Sequence, residues 1–421
     1  MKKAFAPHRA NAGEIGNTSM VSAEIVPLDS IYSSQKFADM HREGLAQYGD
    51  VLRVFGLKGL ESHEFEPGAE CICPFTCSDS EYYGPWKQDK NRRSMHLFLD
   101  ANGRKMLVAK GIGNFDPDAE ERDGKSPMPI QVSRWFLSPY VTVSYGLTLS
   151  YGRASFNAAI AYKMECEKHG RVANTLDPIA LVKLETIPLK VKDGLFIEVP
   201  TEKCFEWQLD GVSKEDRLVY GRKLRRLGAD TAECQSFFNS IVPAPRKVAE
   251  KFYAFMAGET GLKKKADVLR EWRPIVSMYA AESANIRVGT ASPRQILEEN
   301  GIEVEGDDDN PKRMRELANE FTGKLAQSAF FHRAGGNFGG INGELDMRNV
   351  SVRGAVMDLD ACTLPGGKAD LKKQGEDREA ARETIRMFCR KTGMFPPEVD
   401  AAVAFFDAEY MRNLALRQTK E

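Results

Sequence analysis

The chain has 421 residues, 42% hydrophobic and 28% charged, with a formal net charge of -1. That length can bury a large core and points to two lobes or domains. The balanced charge argues against nucleic acid as an obligatory partner, because phosphate backbones select basic surfaces. No apolar run approaches the roughly 18 residues of a membrane-crossing helix. Lys2 and Lys3 are followed by no apolar core, so no secretory signal is expected.

Residues 1–66 read as an irregular N-terminal extension with one short helix near Ser34–Arg42. From 68 to 112 the pattern is β, with strands expected at 69–76, 94–100 and 105–110 and a turn at Asn102-Gly103 between the last two. Cys71, Cys73 and Cys77 form the one cluster among eight cysteines. The spacing suits zinc but lacks a nearby fourth ligand, and a strand with partly core thiols is the preferred reading. The low cysteine density fits a reducing, cytoplasmic setting.

A polar loop is expected at 114–127 and a further β excursion at 131–149. A helix follows from Ser155, as N-cap, to Lys168, with His169-Gly170 as its stop. Strands are expected at 178–191 and 195–199. Beyond residue 212 the pattern is helical, at 213–227, 230–240, 244–257, 264–271, 293–300 and 311–334, interrupted by a strand-like Pro274–Ala281. The acidic run 303–310 reads as a solvated loop, and helices at 376–392 and 397–417 close the chain.

The chemistry concentrates in Asn342–Asp360, which reads as a loop, a short strand, an Arg353-Gly354 turn and a second short strand. A protein-kinase-like fold holds Mg-nucleotide in this way, with a base and an Asn on the loop and a metal-binding Asp on the hairpin. Glu344 lies five residues before Asn349, the separation used between catalytic carboxylate and metal-binding Asn. Glu344, Asp346 and Asp358 are therefore the candidate catalytic carboxylates, and Asn349, Asp358 and Asp360 the candidate ligands for Mg2+ or Mn2+. Lys110 closes an apolar strand, where a lysine needs a partner or water; in a nucleotide site it would hold the ATP phosphates. Glu165, preferred to Glu167, would hold its ammonium. The phosphate loop is sought in 78–93, whose single Gly84 leaves Arg92 and Arg93 as phosphate donors. His332 reads as a structural helix-end residue.

These patches resemble the selenoprotein O family, kinase-like proteins that move AMP from ATP to protein hydroxyls. The resemblance runs through Val108-Ala-Lys110-Gly-Ile-Gly113, Gly152-Arg153-Ala154, Ser283-Ala-Asn-Ile-Arg287-Val-Gly289 and Asn342-Gly-Glu-Leu-Asp346-Met-Arg348-Asn349-Val-Ser-Val-Arg-Gly354, followed by Met357-Asp358. It implies Lys110 and Arg287 on phosphates, Glu165 pairing with Lys110, and Asn349 and Asp358 on metal. Arg348 stands where the family has its presumed base, and Glu344 occupies the ordinary kinase base position.

The expectation is an α+β, bilobal protein-kinase-like fold. Its parts are the extension 1–66, a β-rich N-lobe with an αC-like helix at 67–202, and a helical C-lobe at 203–421. The expected activity is ATP- and Mg-dependent phosphoryl transfer to a protein or small-molecule hydroxyl. Selenoprotein O-like adenylylation is one alternative, and a nucleotide-binding pseudokinase is the other.

Overall fold

The computed structural model describes residues 19–32, 34–46, 70–75, 82–83, 86–88, 94–98, 106–111, 149–192, 195–241, 243–244, 246–281, 286–302, 311–339, 345–357, 359 and 362–416. They form a mixed α+β fold of antiparallel sheets and helices. The strands are β1 (Ser19–Ile25), β2 (Glu70–Phe75), β3 (Tyr82–Tyr83), β4 (Trp86–Gln88), β5 (Ser94–Phe98), β6 (Met106–Lys110), β7 (Asp177–Leu184), β8 (Thr186–Lys192), β9 (Leu195–Pro200) and β10 (Ile275–Ala281). The helices are α1 (Leu28–Ile31), α2 (Gln35–Ala46), α3 (Leu149–Glu167), α4 (Thr201–Asp210), α5 (Lys214–Arg226), α6 (Thr231–Ser240), α7 (Arg246–Thr260), α8 (Lys265–Glu271), α9 (Pro293–Glu299), α10 (Pro311–Ala326), α11 (Ser328–Arg333), α12 (Leu371–Lys391) and α13 (Pro396–Ala415).

Eight strands form one sheet in the order β2-β1-β7-β10-β6-β5-β4-β3, and β8 and β9 pair separately. β10 arrives late in the chain yet occupies the middle of the sheet, with Ser277 opposite Lys110 on β6 and Val276 opposite Val182 on β7. Its residues Ile275 to Ala280 are all buried, as a mostly apolar run covered on both faces should be. One sheet face (Ala109, Val182, Met278) packs on Leu189, Val199, Trp207 and Leu224. The other (Val108, Leu181, Tyr279) packs on Phe156 and Ile160 of α3, on Leu28 and Ile31, and on Ala355 and Met357. The opposite side of α3, including Ala159, Tyr162 and Cys166, joins a helical core containing Leu345, Val350, Phe321 and Phe388. α3 is thus sandwiched between sheet and helices, which explains why Ser155 to Tyr162 are buried without interruption.

Several expectations need correction. The helix expected from Ser155 begins at Leu149. Ser155 lies inside it and its Oγ accepts a bond from the Tyr279 hydroxyl at 2.8 Å. Its first turn is held by Glu259 of α7, whose Oε1 accepts from Ser150 N at 3.2 Å. The stop is as expected, with Gly170 at φ +63°. The expected strand 178–191 breaks at Glu185, because β7 belongs to the large sheet and β8 to the hairpin. The expected helix 311–334 is divided at Gln327. α4 escaped the sequence reading because its buried side chains serve two cores, Trp207 in one and Phe205 in the other. A division at 202/203 does not coincide with a break in the sheet, because β10 completes it from beyond that point. The expected turn at Asn102-Gly103, the loop 114–127, residues 131–148 of the β excursion and the acidic run 303–310 lie outside the described residues.

Among the described residues of the N-terminal segment, the short helix is present as α2 and is joined by β1 and α1. β1 pairs with β2 and β7, and α2 seats a buried histidine on the sheet. His41 Nε2 donates to Ile179 O at 2.8 Å, and the Tyr32 hydroxyl donates to Nδ1 at 2.7 Å. Burial lowers the His41 pKa from 6.5 to about 4. The unfolded chain therefore takes up this proton between those two values while the folded chain does not. Above pH 6.5 the stability is fully present; it is lost as pH falls toward 4, with a total on the order of 3 kcal/mol. Urea denaturation at pH 7 and pH 5 should show the loss, and His41→Gln should flatten it.

Candidate functional site

The segment 345–357 is anchored from several directions. Leu345 is buried, and its carbonyl accepts from Thr384 Oγ1 of α12 at 2.8 Å. A turn follows in which Asp346 O accepts from Asn349 N at 2.8 Å and Val350 N at 3.1 Å. Asp346 Oδ1 accepts from Arg348 N at 2.9 Å and Arg348 Nε at 2.7 Å, so this carboxylate organises the turn. The chain then reverses: Ser351 N donates to Ala355 O at 2.9 Å and Met357 N to Asn349 O at 2.7 Å. Gly354, at φ +79°, sits at the reversal, where a side chain would be strained. The two short strands expected here are reduced to a single bridge, Val350 to Val356. The reason is competition: Val356 N bonds Asn174 O at 3.0 Å and Val352 N bonds Ile286 O at 2.8 Å, so flanking segments take the ladder groups.

Lys110 reaches this hairpin from the sheet. Its Nζ donates to Met357 O at 2.6 Å and lies 5.4 Å from the centroid of the Tyr279 ring. Lys110 and Val108 share a sheet face, since alternate strand residues point the same way, and that face carries α3 and Met357. The bonds Lys110–Met357 and Met357–Asn349 join the end of β6 to the loop directly. Gly152 lets α3 lie close to the same place. A Cβ there would stand 3.0 Å from Leu181 Cδ2 and 3.2 Å from Ser277 Oγ.

Glu165 does not hold Lys110 in this structure, contrary to expectation. Its Oε1 accepts from Lys168 Nζ at 2.5 Å, and no ion pair joins it to Lys110 among the described residues. The cause is the earlier start of α3, which crosses β10 with its first turns. Gly152 and Ser155 meet Ser277 and Tyr279 there, and Glu165 is carried about 15 Å beyond Ser155 along the helix axis.

Arg287 does arrive at the loop. It bridges Ser351 in antiparallel fashion, and the flanking bonds are Val288 N to Val350 O at 2.9 Å and Gly289 N to Met347 O at 2.8 Å. A Cβ on Gly289 would lie 3.2 Å from Met347 O. Gly289→Ala is therefore expected to push the loop away and cost about 1 to 3 kcal/mol in urea denaturation.

Glu344, Asp358, Asp360, Arg92 and Arg93 lie outside the described residues, as do Cys77 and the side chains of Cys71 and Cys73. Among the described residues no group of three His, Cys, Asp or Glu side chains is arranged to hold a metal. His332 is structural: it is buried, with Nδ1 accepting from the Tyr410 hydroxyl at 2.6 Å and Nε2 donating to Asp377 at 3.1 Å. Sequence reading missed Lys391, a last-turn helix lysine with an ordinary C-terminal signature; its partners are a hundred residues away in the chain. Among the described residues no helix is long and apolar enough to cross a membrane. No protein-family model, curated protein or solved structure matches the chain.

Proposed function

We propose that the protein is an ATP- and Mg-dependent transferase of kinase-like, two-lobed fold that moves a phosphoryl group from ATP to a hydroxyl acceptor. The observation that carries this reading is the 2.6 Å bond from Lys110 to Met357 O, the residue before Asp358. A strand-end ammonium and the metal-ligand hairpin are the two halves such a site needs, and they come from positions 247 residues apart. The order of lysine strand, sheet-packed helix and late loop supports the same fold.

Asn349, Asp358 and Asp360 offer amide and carboxylate oxygens, a hard donor set that suits Mg2+ or Mn2+. When bound, the ion would supply positive charge that neutralises the phosphates. Lys110 and Arg287 would hold phosphate oxygens, while Glu344, five residues before Asn349, would accept the acceptor hydroxyl's proton. Asp346, occupied by Arg348, would keep the loop in shape. Catalysis would come from positioning and fixed charge, in a loop held by backbone bonds on both sides.

One observation favours adenylyl transfer as the second reading. Four patches that resemble the selenoprotein O family meet through three contacts: Lys110 on Met357, Gly152 on the strand opposite Lys110, and Gly289 on Met347. ATP labelled separately at α and γ separates the readings. Label leaving from γ to the acceptor is the expected result, and label from α would establish adenylylation. Bound nucleotide with no transfer from either position would make the protein a pseudokinase.

A further inference from the structure

Lys391, the last residue of α12, sends its ammonium into the turn that follows Arg287. Nζ donates to Val288 O at 2.9 Å, Gly289 O at 2.9 Å and Ala291 O at 2.8 Å. An ammonium has three N–H donors, so all of them are used on one stretch of backbone. The same turn is closed internally by Ala291 N to Arg287 O at 2.9 Å. On its other side it is bonded to Val350 and Met347, on either side of Arg348 and Asn349. Thr384, two helical turns earlier on α12, holds Leu345 O at the start of the same loop. One helix thus grips both walls of the candidate site, the loop through a hydroxyl and the Arg287 turn through a cation.

We infer that Lys391 is a positioning residue, which braces the Arg287–Ala291 turn and through it the Asn349 loop against α12. Its consequence for nucleotide rests on the proposed function; the brace itself does not. Three convergent carbonyls concentrate negative potential that a neutral side chain would leave uncompensated. A planar guanidinium cannot direct three N–H groups into one such cup, so arginine is a poor replacement.

The test uses the full chain with Lys391→Met and Lys391→Arg. Residue-resolved amide hydrogen exchange should rise about tenfold or more at Val288 and Gly289 in Lys391→Met, corresponding to loss of local protection. The sheet amides of Val182 and Met278 should exchange as before. The KM for ATP in γ-label transfer should rise about tenfold, with kcat changed by less than about threefold, the pattern of lost ground-state binding. Lys391→Arg should recover only part of either loss. Unchanged exchange at Val288 and Gly289, an equal rise throughout the chain, or full recovery with arginine would each overturn the brace. Absence of MgATP binding by the unaltered protein would instead overturn the proposed function, and the exchange comparison would still decide the role of Lys391.

Discussion

Lys110→Met is expected to lower MgATP-dependent transfer by roughly 10^2- to 10^3-fold, the usual loss when one preorganised charge is removed from a phosphoryl-transfer site. The substitution keeps an unbranched apolar stem beside the Tyr279 ring, so the sheet should remain folded. The lost bond to Met357 O should cost only about 1 kcal/mol of stability. Arginine should not replace it, since the proposed role needs a compact ammonium at a strand end. Asp358→Ala should remove transfer through the other half of the site. Measurement of label transfer from γ-labelled ATP, alongside thermal unfolding, separates lost chemistry from lost fold. If folded Lys110→Met and Asp358→Ala proteins both retain transfer, the assignment of the site is wrong.

Asp377→Ala should be the most damaging change to stability, by about 3 to 5 kcal/mol. The carboxylate is 1% exposed, and its Oδ2 accepts from His332 Nε2 at 3.1 Å and from Phe338 N at 2.8 Å. His332 in turn accepts from the Tyr410 hydroxyl at 2.6 Å. Truncation strands an imidazole N–H and a backbone amide in a core where water does not reach them. Asp377→Asn retains an acceptor oxygen and should lose substantially less. Urea denaturation gives both values, and equal losses for the two variants would contradict this account. Gln374 bonds His332 O at 2.8 Å and Gly336 O at 2.9 Å, so the chain leading toward the candidate loop depends on the same helix.

Strands and helices with a single clear periodicity were legible in the sequence. β9 and α5 fall within a residue or two of expectation, because each has one buried face and ordinary end signals. Elements serving two environments were not. α3 carries apolar and small residues all round, so neither its start nor its orientation could be read, and Glu165 was assigned to a partner it does not meet. β10 was recognised as strand-like, but nothing in Ile275–Ala281 tells that its neighbours are β6 and β7. In the site, Lys110 stood out as a lysine closing an apolar strand, Asn349 by its spacing from Glu344 and Arg287 only through the resemblance, whereas Lys391 looked like any surface lysine near a helix end.

Residue chemistry and local conformation were written in the sequence: an ammonium closing an apolar strand, Gly354 at a reversal, and oxygen-bearing side chains spaced along a loop. Which groups meet was decided only by the tertiary structure. The bond from Lys110 to Met357 O spans 247 residues, and the Lys391 brace spans about a hundred. Local propensity acts over a few neighbours. Such distant pairings are fixed by how helices and sheet share their buried faces, and that packing exists only once the whole core has closed.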